Sequence, residues 1–308
     1  MSIALCIPAY NASWCLPKLL KSALDQEFPF NEILVYNDAS NDDTTLIAEE
    51  FGAIVVEGKV NVGCSSGKNK LAEISKSDWL HFHDADDDLL PNFTSVCQKW
   101  INMDLSPDIV LMHFHYIDKQ SGHLLGKPEY DSNEILKDTI KFTITNKIVN
   151  FALIKKESFL RIGGFDTDPE VLYNEDRAFY TRASINGLTF AYENELTCIN
   201  YFYGKGMSSS NKAKVSKAQY AVLNKVYKSV GEKYNVELSE QFLNNATYAA
   251  TANDWGTMIK SIRFAKNIYP QQVPVGSVFF QKIYRLNSYF AFFLRELIIR
   301  FFTSKRRK

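Results

Sequence analysis

The sequence predicts an α/β fold with a ligand site at the ends of its strands. Short apolar runs alternate with helical patterns through the first hundred residues. Each run is followed by polar residues, and the fourth, at 79–82, passes straight into His83-Asp84-Ala85-Asp86-Asp87-Asp88. Strand–helix alternation gives a parallel sheet with right-handed crossovers, and such sheets bind ligands at the carboxyl ends of their strands. Packing has no use for four carboxylates so close together, whereas a divalent cation with a phosphate-bearing ligand behind it does. The competing reading is an acidic turn that opens the helix after Pro91.

The elements follow in order. Residues 3–7 are an apolar strand stopped by Pro8, and Leu16, Leu19, Leu20, Ala23 and Leu24 mark a helix. Residues 32–36 form the second strand. Residues 42–51 form a helix with Asp42 or Asp43 as its cap and Gly52 as its end. Residues 53–57 are the third strand, 65–74 a helix and 79–82 the fourth strand. The residues after these strands are Pro8-Ala9-Tyr10-Asn11, Asn37-Asp38-Ala39-Ser40, Asn61-Val62-Gly63 and Asp84 to Asp88. All four sets are expected to line one crevice.

Further along, 109–116 and 149–154 read as strands, with a hairpin at Ser121-Gly122. A short helix at 156–162 ends on Gly163-Gly164, and Asn174 opens a helix over 175–185. Strands at 188–192 and 196–203 complete the α/β part. Residues 212–268 are largely helical with breaks near Gly231 and Asn253-Asp254, and Pro270 and Pro274 punctuate the chain. These patterns divide it into a catalytic domain at 1–205, a helical extension at 206–275 and an aromatic, basic tail at 276–308.

Composition is that of a globular protein: 46% apolar, 23% charged and 14% aromatic. Lys and Arg (35) balance Asp and Glu (35), so no global field argues for nucleic acid. Five cysteines, an odd number with no CxxC pair, argue for a reducing compartment and against a zinc site. No signal peptide and no spanning segment is visible. The expected location is cytoplasmic, with a peripheral position at the inner face of the membrane open.

Taken singly, the polar strand ends have ordinary explanations. Tyr10 offers a stacking face or is a half-buried core tyrosine. Asp38 accepts a base N–H or caps a helix, Lys68 reaches a diphosphate or lies solvated, and Glu175-Asp176 caps a helix start. Taken in order, Ile7-Pro8-Ala9-Tyr10-Asn11, Asn37-Asp38-Ala39-Ser40-Asn41-Asp42, Asn61-Val62-Gly63, Lys68-Asn69, Asp84-Ala85-Asp86-Asp87, Gly163-Gly164-Phe165-Asp166 and Glu175-Asp176 resemble the inverting GT-A glycosyltransferases of family 2. The resemblance covers residues 1 to 205.

The resemblance implies a GT-A fold, a Rossmann-like mixed sheet flanked by helices, here with a C-terminal helical extension. It places Tyr10 and the backbone near Pro8 against a nucleotide base, commonly uracil, with Asp38 on the base and Lys68 at the diphosphate. Asp86 becomes the ligand of Mn²⁺ or Mg²⁺ and Asp84 a ribose or metal partner, while Asp87 and Asp88 take lesser roles. Asp176 becomes the general base, with Glu175 beside it on the acceptor side. The partners implied are a nucleotide-sugar donor, a UDP-sugar by the uracil assignment, and a glycan or lipid-linked acceptor. Four features depart from the family pattern: Asn37 and Ala39 replace Asp and Gly, Lys68 stands where the family usually carries arginine, and 201–206 lacks the histidine of many relatives.

His81, His83, His113 and His115 lie in or beside strands and read as structural. The tail at 278–308 has two readings, a helix on an anionic membrane surface or one packed on the catalytic domain with a solvated basic end. Two alternatives to a transferase stand: a non-catalytic nucleotide-sugar-binding or scaffold protein, and a sugar nucleotidyltransferase. The latter needs a glycine-rich basic loop after the first strand, which Pro8-Ala9-Tyr10-Asn11 does not supply.

Overall fold

The structure, a computed structural model, describes residues 1–204 and 210–305. It forms two compact units. The first comprises Met1–Phe142, Ile148–Thr167 and the described part of Arg182–Gly206. The second comprises Thr143–Lys147, Asp168–Thr181 and the described part of Met207–Lys308. The domain boundary expected at 205 and the final basic residues 306–308 lie outside the described residues.

The first unit is built on one mixed sheet. Its strands are β1 (Ile3–Ala9), β2 (Glu32–Asn37), β3 (Ile54–Glu57), β4 (Trp79–Phe82), β5 (Asp88–Leu89), β6 (Ile109–Asp118), β7 (Leu124–Gly126), β8 (Ala152–Lys155) and β9 (Phe190–Phe202). They lie in the order β3-β2-β1-β4-β8-β6-β9-β5, with β7 on β6. Strands β1 to β4 are parallel to their neighbours among themselves, as alternation with α1 (Leu16–Leu24), α2 (Thr44–Glu50) and α3 (Cys64–Ile74) requires. Beyond β4 the sheet is mixed, as the resemblance implies, because β8 runs antiparallel to both β4 and β6. Strand–helix alternation has stopped there: β6 is followed by β7, α5 (Ser132–Lys137) and α6 (Thr139–Thr145), and these two helices had no sequence signal.

Two expectations are corrected, and the competing reading of the acidic turn fails. Pro8 does not stop β1. The Cys6 carbonyl accepts from His83 on the β4 side and the Ala9 carbonyl from Asp38 on the β2 side. By alternation Pro8 faces the β4 side, where pairing has already ended, so its missing N–H costs no ladder bond. The two strands expected at 188–192 and 196–203 are one, β9, whose pairing with β6 absorbs two register shifts near Met112 to Phe114. The acidic turn does not open a helix either: α4 (Phe93–Ile101) has Asn92 at its N-cap and no acid in its first turn.

The apolar face of α1 (Leu16, Leu19, Leu20, Ala23) packs with Leu5, Ile7, Val35, Trp79, Phe93 and Val96 in the main core. Below the site, His81 and His83 are fully buried among Phe93 and Phe151. His81 spends one ring nitrogen on the Ala152 carbonyl (2.9 Å) and the other on His83 (2.9 Å). Burial pushes the His81 imidazole down to about 4.

The second unit is helical apart from its loops. Residues of α8 (Glu175–Ile185) up to Thr181 belong to it, with α9 (Lys212–Val230), α10 (Asn235–Thr251), α11 (Trp255–Ile268), α12 (Val278–Leu286) and α13 (Ser288–Lys305). Ala246, Ala249 and Ala250 are buried on α10, where small side chains let helices approach closely. Buried Asn245 donates to the Ser216 carbonyl (3.0 Å) and to Ser261 Oγ (3.1 Å), tying α10 to α9 and α11. The tail expected as one helix is two, divided at Asn287. Among the described residues no helix is long and apolar enough to cross a membrane.

Candidate active site

In the first unit, the loops at the carboxyl ends of β1 to β4 are knitted to one another. The Asn11 N–H donates to Ser40 Oγ (2.9 Å), and the Asn41 N–H returns a bond to Asn11 Oδ1 (2.9 Å). The Ala12 N–H donates to Thr44 Oγ1 (2.9 Å) and the Ser13 N–H to Asp42 (3.1 Å). Tyr10, next to this knot, is half exposed. Asp42, not Asp43, bonds the first turn of α2, through the Thr44 N–H (3.1 Å).

Asp38 is buried and accepts from the N–H groups of Val62 (2.7 Å) and Gly63 (2.8 Å). It therefore fixes the loop entering α3 rather than capping α2. Asn37 donates to Glu57 (2.8 Å) and to Thr45 (2.7 Å), and accepts from the Ser40 N–H (3.0 Å). An aspartate here would face the Glu57 carboxylate, a like-charge contact. That accounts for asparagine at a position where the resembled pattern has Asp. Ala39 sits at φ +60°, a conformation that favours glycine.

Lys68 is only 3% exposed, and its ammonium lies 3.1 Å from Asp84 Oδ1 and 5.4 Å from the centre of the Phe165 ring. Its neighbour Asn69 donates to the Phe165 carbonyl (2.9 Å) and accepts from the Phe165 N–H (2.7 Å). At Gly164 (φ +66°) a Cβ would come within 2.3 Å of the Asn69 amide oxygen. Thus Lys68-Asn69 and Gly163-Gly164-Phe165, a hundred residues apart in the chain, are one physical unit. Gly67 approaches the Tyr36 ring so closely that a Cβ would lie 2.7 Å from it. Sequence reading missed Tyr36, Ser40, Thr44 and the tying role of Asn69. Only the first two turns' polar content hinted at them.

The acidic cluster divides into two pairs. Asp87 is buried and accepts from Asn200 Nδ2 (2.7 Å) and the Tyr201 N–H (2.8 Å), which ties it to β9. Burial, with Asp86 and Asp84 nearby, holds its carboxyl well above the usual range despite these bonds. Asp88 enters β5 and takes bonds from Lys18 and from the Tyr201 hydroxyl (2.9 Å). Asp84 is half exposed, and among the described residues no other side chain bonds the Asp86 carboxylate. Burial and the Asp84 charge raise the Asp86 carboxyl. Tyr203 steadies that turn by donating to the Asp86 carbonyl (2.8 Å).

These two carboxylates suit a hard divalent cation, Mg²⁺ or Mn²⁺, which prefers oxygen ligands. A second group, His81, His83 and Cys198, has ligand atoms within 4.8 Å of one another. It lies in the packed interior, His81 has both nitrogens engaged, and burial raises the Cys198 thiol out of the thiolate range. We assign that group to packing.

Glu175 and Asp176 belong to the second unit, in the first turn of α8; Glu175 is buried and Asp176 partly exposed. Next to them Arg177 donates to Gln241 Oε1 (3.1 Å) and the Ile144 carbonyl (3.4 Å), and burial lowers it to about 10. Tyr173, just before this turn, is held at φ +79°. The structure therefore gathers Pro8, Tyr10, Asp38, Lys68, Asp84 and Asp86 in the first unit and carries Glu175 and Asp176 on the second.

Comparison with known proteins shows the family and the fold. An uncharacterized glycosyltransferase of Haemophilus influenzae is 24% identical over 249 residues, 78% of this chain and 82% of that protein. One from Rickettsia typhi is 29% identical over 185 residues, 58% of this chain and 57% of its own length. The fold matches solved structures of S. aureus TarS 1-349 with UDP-GlcNAc (TM-score 0.61, 14% identity, 88% of this chain and 92% of that one) and of the Pyrobaculum calidifontis mannosyltransferase PcManGT with GDP-Man and Mn²⁺ (0.56, 16%, 88% of each). The "Glycosyl transferase family 2" model matches residues 4–163, just over half of the chain, a span that holds Pro8, Tyr10, Asp38, Lys68, Asp84 and Asp86. The protein is therefore a GT-A-fold member of glycosyl transferase family 2.

Proposed function

We propose that this chain is a metal-dependent, inverting hexosyltransferase. It moves a sugar from a UDP-sugar to a hydroxyl of a glycan or lipid-linked acceptor. The observation that carries the reading is the division of the acidic cluster. Asp87 and Asp88 are consumed by β9 and α1 contacts, while Asp84 and Asp86 keep carboxylate oxygens available beside the Lys68 ammonium. When bound there, Mn²⁺ or Mg²⁺ supplies Lewis-acid stabilisation of the departing nucleotide diphosphate. Tyr10 stacks on the base, with the Pro8 backbone and Asp38 framing the same pocket. Asp176, with Glu175 beside it, takes the acceptor hydroxyl proton as that oxygen attacks the anomeric carbon from the opposite face.

The reading is supported against its competitors. Asn37, one of the departures from the family pattern, is accounted for by its bond to Glu57. A nucleotidyltransferase lacks its phosphate loop after β1, where Asn11 and Ala12 are spent on knitting loops together. The test is turnover of a panel of UDP-sugars with Mn²⁺ or Mg²⁺ and after chelation. Release of UDP that needs the metal supports the reading; pyrophosphate release from a nucleoside triphosphate overturns it.

We further propose that the protein is cytoplasmic and docks on an anionic membrane surface through residues 278–308. In α13 Glu296 is buried beside Ala291 and Phe292, 3% exposed; it is bonded by Arg295 (2.5 Å) and lies near the exposed Arg300, which donates to the Ala250 carbonyl (3.1 Å). The outward side carries Phe290, Phe293, Leu297 and Phe301 at helical spacing, all exposed, and α12 adds Phe279 and Leu286. Residues 278–308 hold eight Lys or Arg and one Glu, 8 − 1 = +7, in a chain whose total is 35 − 35 = 0. Basic groups near an anionic surface contribute about 1 kcal/mol each. Apolar side out with basic flanks is what a lipid interface requires.

A further inference from the structure

Asp88, close to the acidic turn in the chain, and Tyr201 gather two lysines in the first unit. Lys18, on α1, lies with its ammonium 4.1 Å from the centre of the Tyr201 ring, and Lys119, just after β6, lies 3.8 Å from the same centre. Both lysines are exposed. The carboxylate bound into this group is Asp88, which Lys18 bonds directly, to which the Tyr201 hydroxyl donates (2.9 Å) and whose charge also acts on Lys119. Asp88 thus offers one negative charge to two ammonium groups that repel each other. Burial lowers Lys119, and the nearby Lys18 lowers it further.

The surface continues from this pair toward the acidic turn as an aromatic strip. Tyr201 is followed by Tyr203, with ring centres 6.2 Å apart, and Tyr203 by Trp14 at 5.1 Å, edge on. Trp14 is 63% exposed, and Tyr203 donates to the Asp86 carbonyl. Exposed aromatic faces are adhesive to the apolar faces of sugar rings, and paired ammonium groups to phosphate or carboxylate oxygens.

We propose that Lys18 and Lys119, gathered on Tyr201, form a subsite for an anionic group of substrate, a phosphate or carboxylate, with Trp14 and Tyr203 offering the adjoining sugar a stacking surface. The subsite deepens the transferase reading by giving its substrate a charge. An anion between the two lysines relieves their repulsion and leaves Asp88 in place to hold Lys18. Its source is either the donor's diphosphate or an anionic acceptor such as a sugar phosphate or uronate.

The full chain is titrated calorimetrically with inorganic pyrophosphate in metal-free buffer, alongside Lys119→Gln and Lys119→Glu, exposed changes that touch no core. The subsite predicts pyrophosphate binding that weakens about tenfold or more in Lys119→Glu, and less in Lys119→Gln. Equal affinity in all three proteins, or no binding by the parent, overturns it. Titrations with UDP and Mn²⁺, and separately with glucose 1-phosphate and glucuronate, then assign the source. Weakened UDP binding in Lys119→Glu identifies the donor diphosphate. Unchanged UDP binding with weakened sugar phosphate or glucuronate binding identifies the acceptor. If pyrophosphate binding depends on Lys119 but UDP does not bind at all, the subsite stands and the transferase reading fails.

Discussion

The two units break the usual partition of polar and apolar groups in opposite directions. The first unit draws charge inward: Asp38, Lys68 and Asp87 are buried at its strand ends. The second unit turns hydrophobes outward: Phe279, Phe290, Phe293, Leu297, Phe301 and Phe302 are exposed on α12 and α13, while Glu296 is hidden. Isolated buried charge costs several kcal/mol unless it is paired. In the first unit each such group is answered, Asp38 by two N–H groups, Lys68 by Asp84, Asp87 by Asn200 and Tyr201. What that unit leaves incompletely answered is Asp86. What the second leaves unanswered is an apolar face. The lesson is that function is sought where a unit's own packing stops satisfying its side chains; the partners proposed above, a cation in one case and a lipid surface in the other, are chosen by the chemistry of that remainder.

The comparison can be broken from either side. The largest effect is expected at the acidic turn. Asp86→Ala should lower sugar transfer by about 10³-fold or more, the several kcal/mol that a positioned metal supplies, while thermal unfolding stays close to that of the parent. Asp87→Ala should instead unfold at a lower temperature, because Asn200 and the Tyr201 N–H lose their acceptor. Reversed phenotypes would refute the division of the cluster. Asp176→Asn should reduce turnover by about 10²- to 10⁴-fold, as loss of a general base does, and leave UDP affinity within about twofold.

On the other unit, the triple change Phe290→Ser, Phe293→Ser, Leu297→Ser removes outward apolar surface worth about 1.5–3 kcal/mol per fully buried side chain. Binding to vesicles containing phosphatidylserine should fall by at least about tenfold in co-sedimentation, with no loss of folded stability. Vesicle binding unchanged by the triple change, or absent in the parent, would leave the apolar face without its lipid partner. The smallest effect is at Ala39. Glycine there relieves the cost of a left-handed residue, about 1–2 kcal/mol, against a backbone-entropy loss of about 0.5–1 kcal/mol. Ala39→Gly should stabilise the protein by a few tenths to about 1 kcal/mol in urea unfolding, and a destabilised variant would show that the Ala39 turn is held by other forces.

Much of the fold was legible because local pattern and tertiary role coincide. The strand–helix alternation to Phe82 is read directly from apolar runs, and α8 from Glu175 to Ile185 was placed to the residue. Legibility failed where partners are remote. The antiparallel insertion of β8 depends on β4 and β6, which lie far from it in the chain. Asp88 was read as part of a turn, yet it is a strand residue because Ile199 pairs with it from 111 positions away (199 − 88). Asn69 carried no signal as the brace of Gly164 and Phe165, since a helix asparagine resembles any other until its partner is known. The tail was legible as aromatic and basic, but that Glu296 is buried while Arg300 reaches the Ala250 carbonyl follows only from the place of α13 against α10 and α11. Candidate site residues followed the same rule. The acidic cluster announced itself by repulsion among its own members, while Lys18 and Lys119, a hundred residues apart (119 − 18 = 101), became a pair only on the Tyr201 ring.

The central claim is that Asp84 and Asp86 hold a divalent cation against a nucleotide diphosphate. The direct measurement is calorimetric titration of UDP into the parent and Asp86→Ala, each with Mn²⁺ and with chelator. The account predicts binding that strengthens at least about tenfold with Mn²⁺ in the parent and gains nothing from Mn²⁺ in the variant. Equal UDP affinity with and without Mn²⁺ in the parent, or an undiminished Mn²⁺ gain in Asp86→Ala, would contradict it.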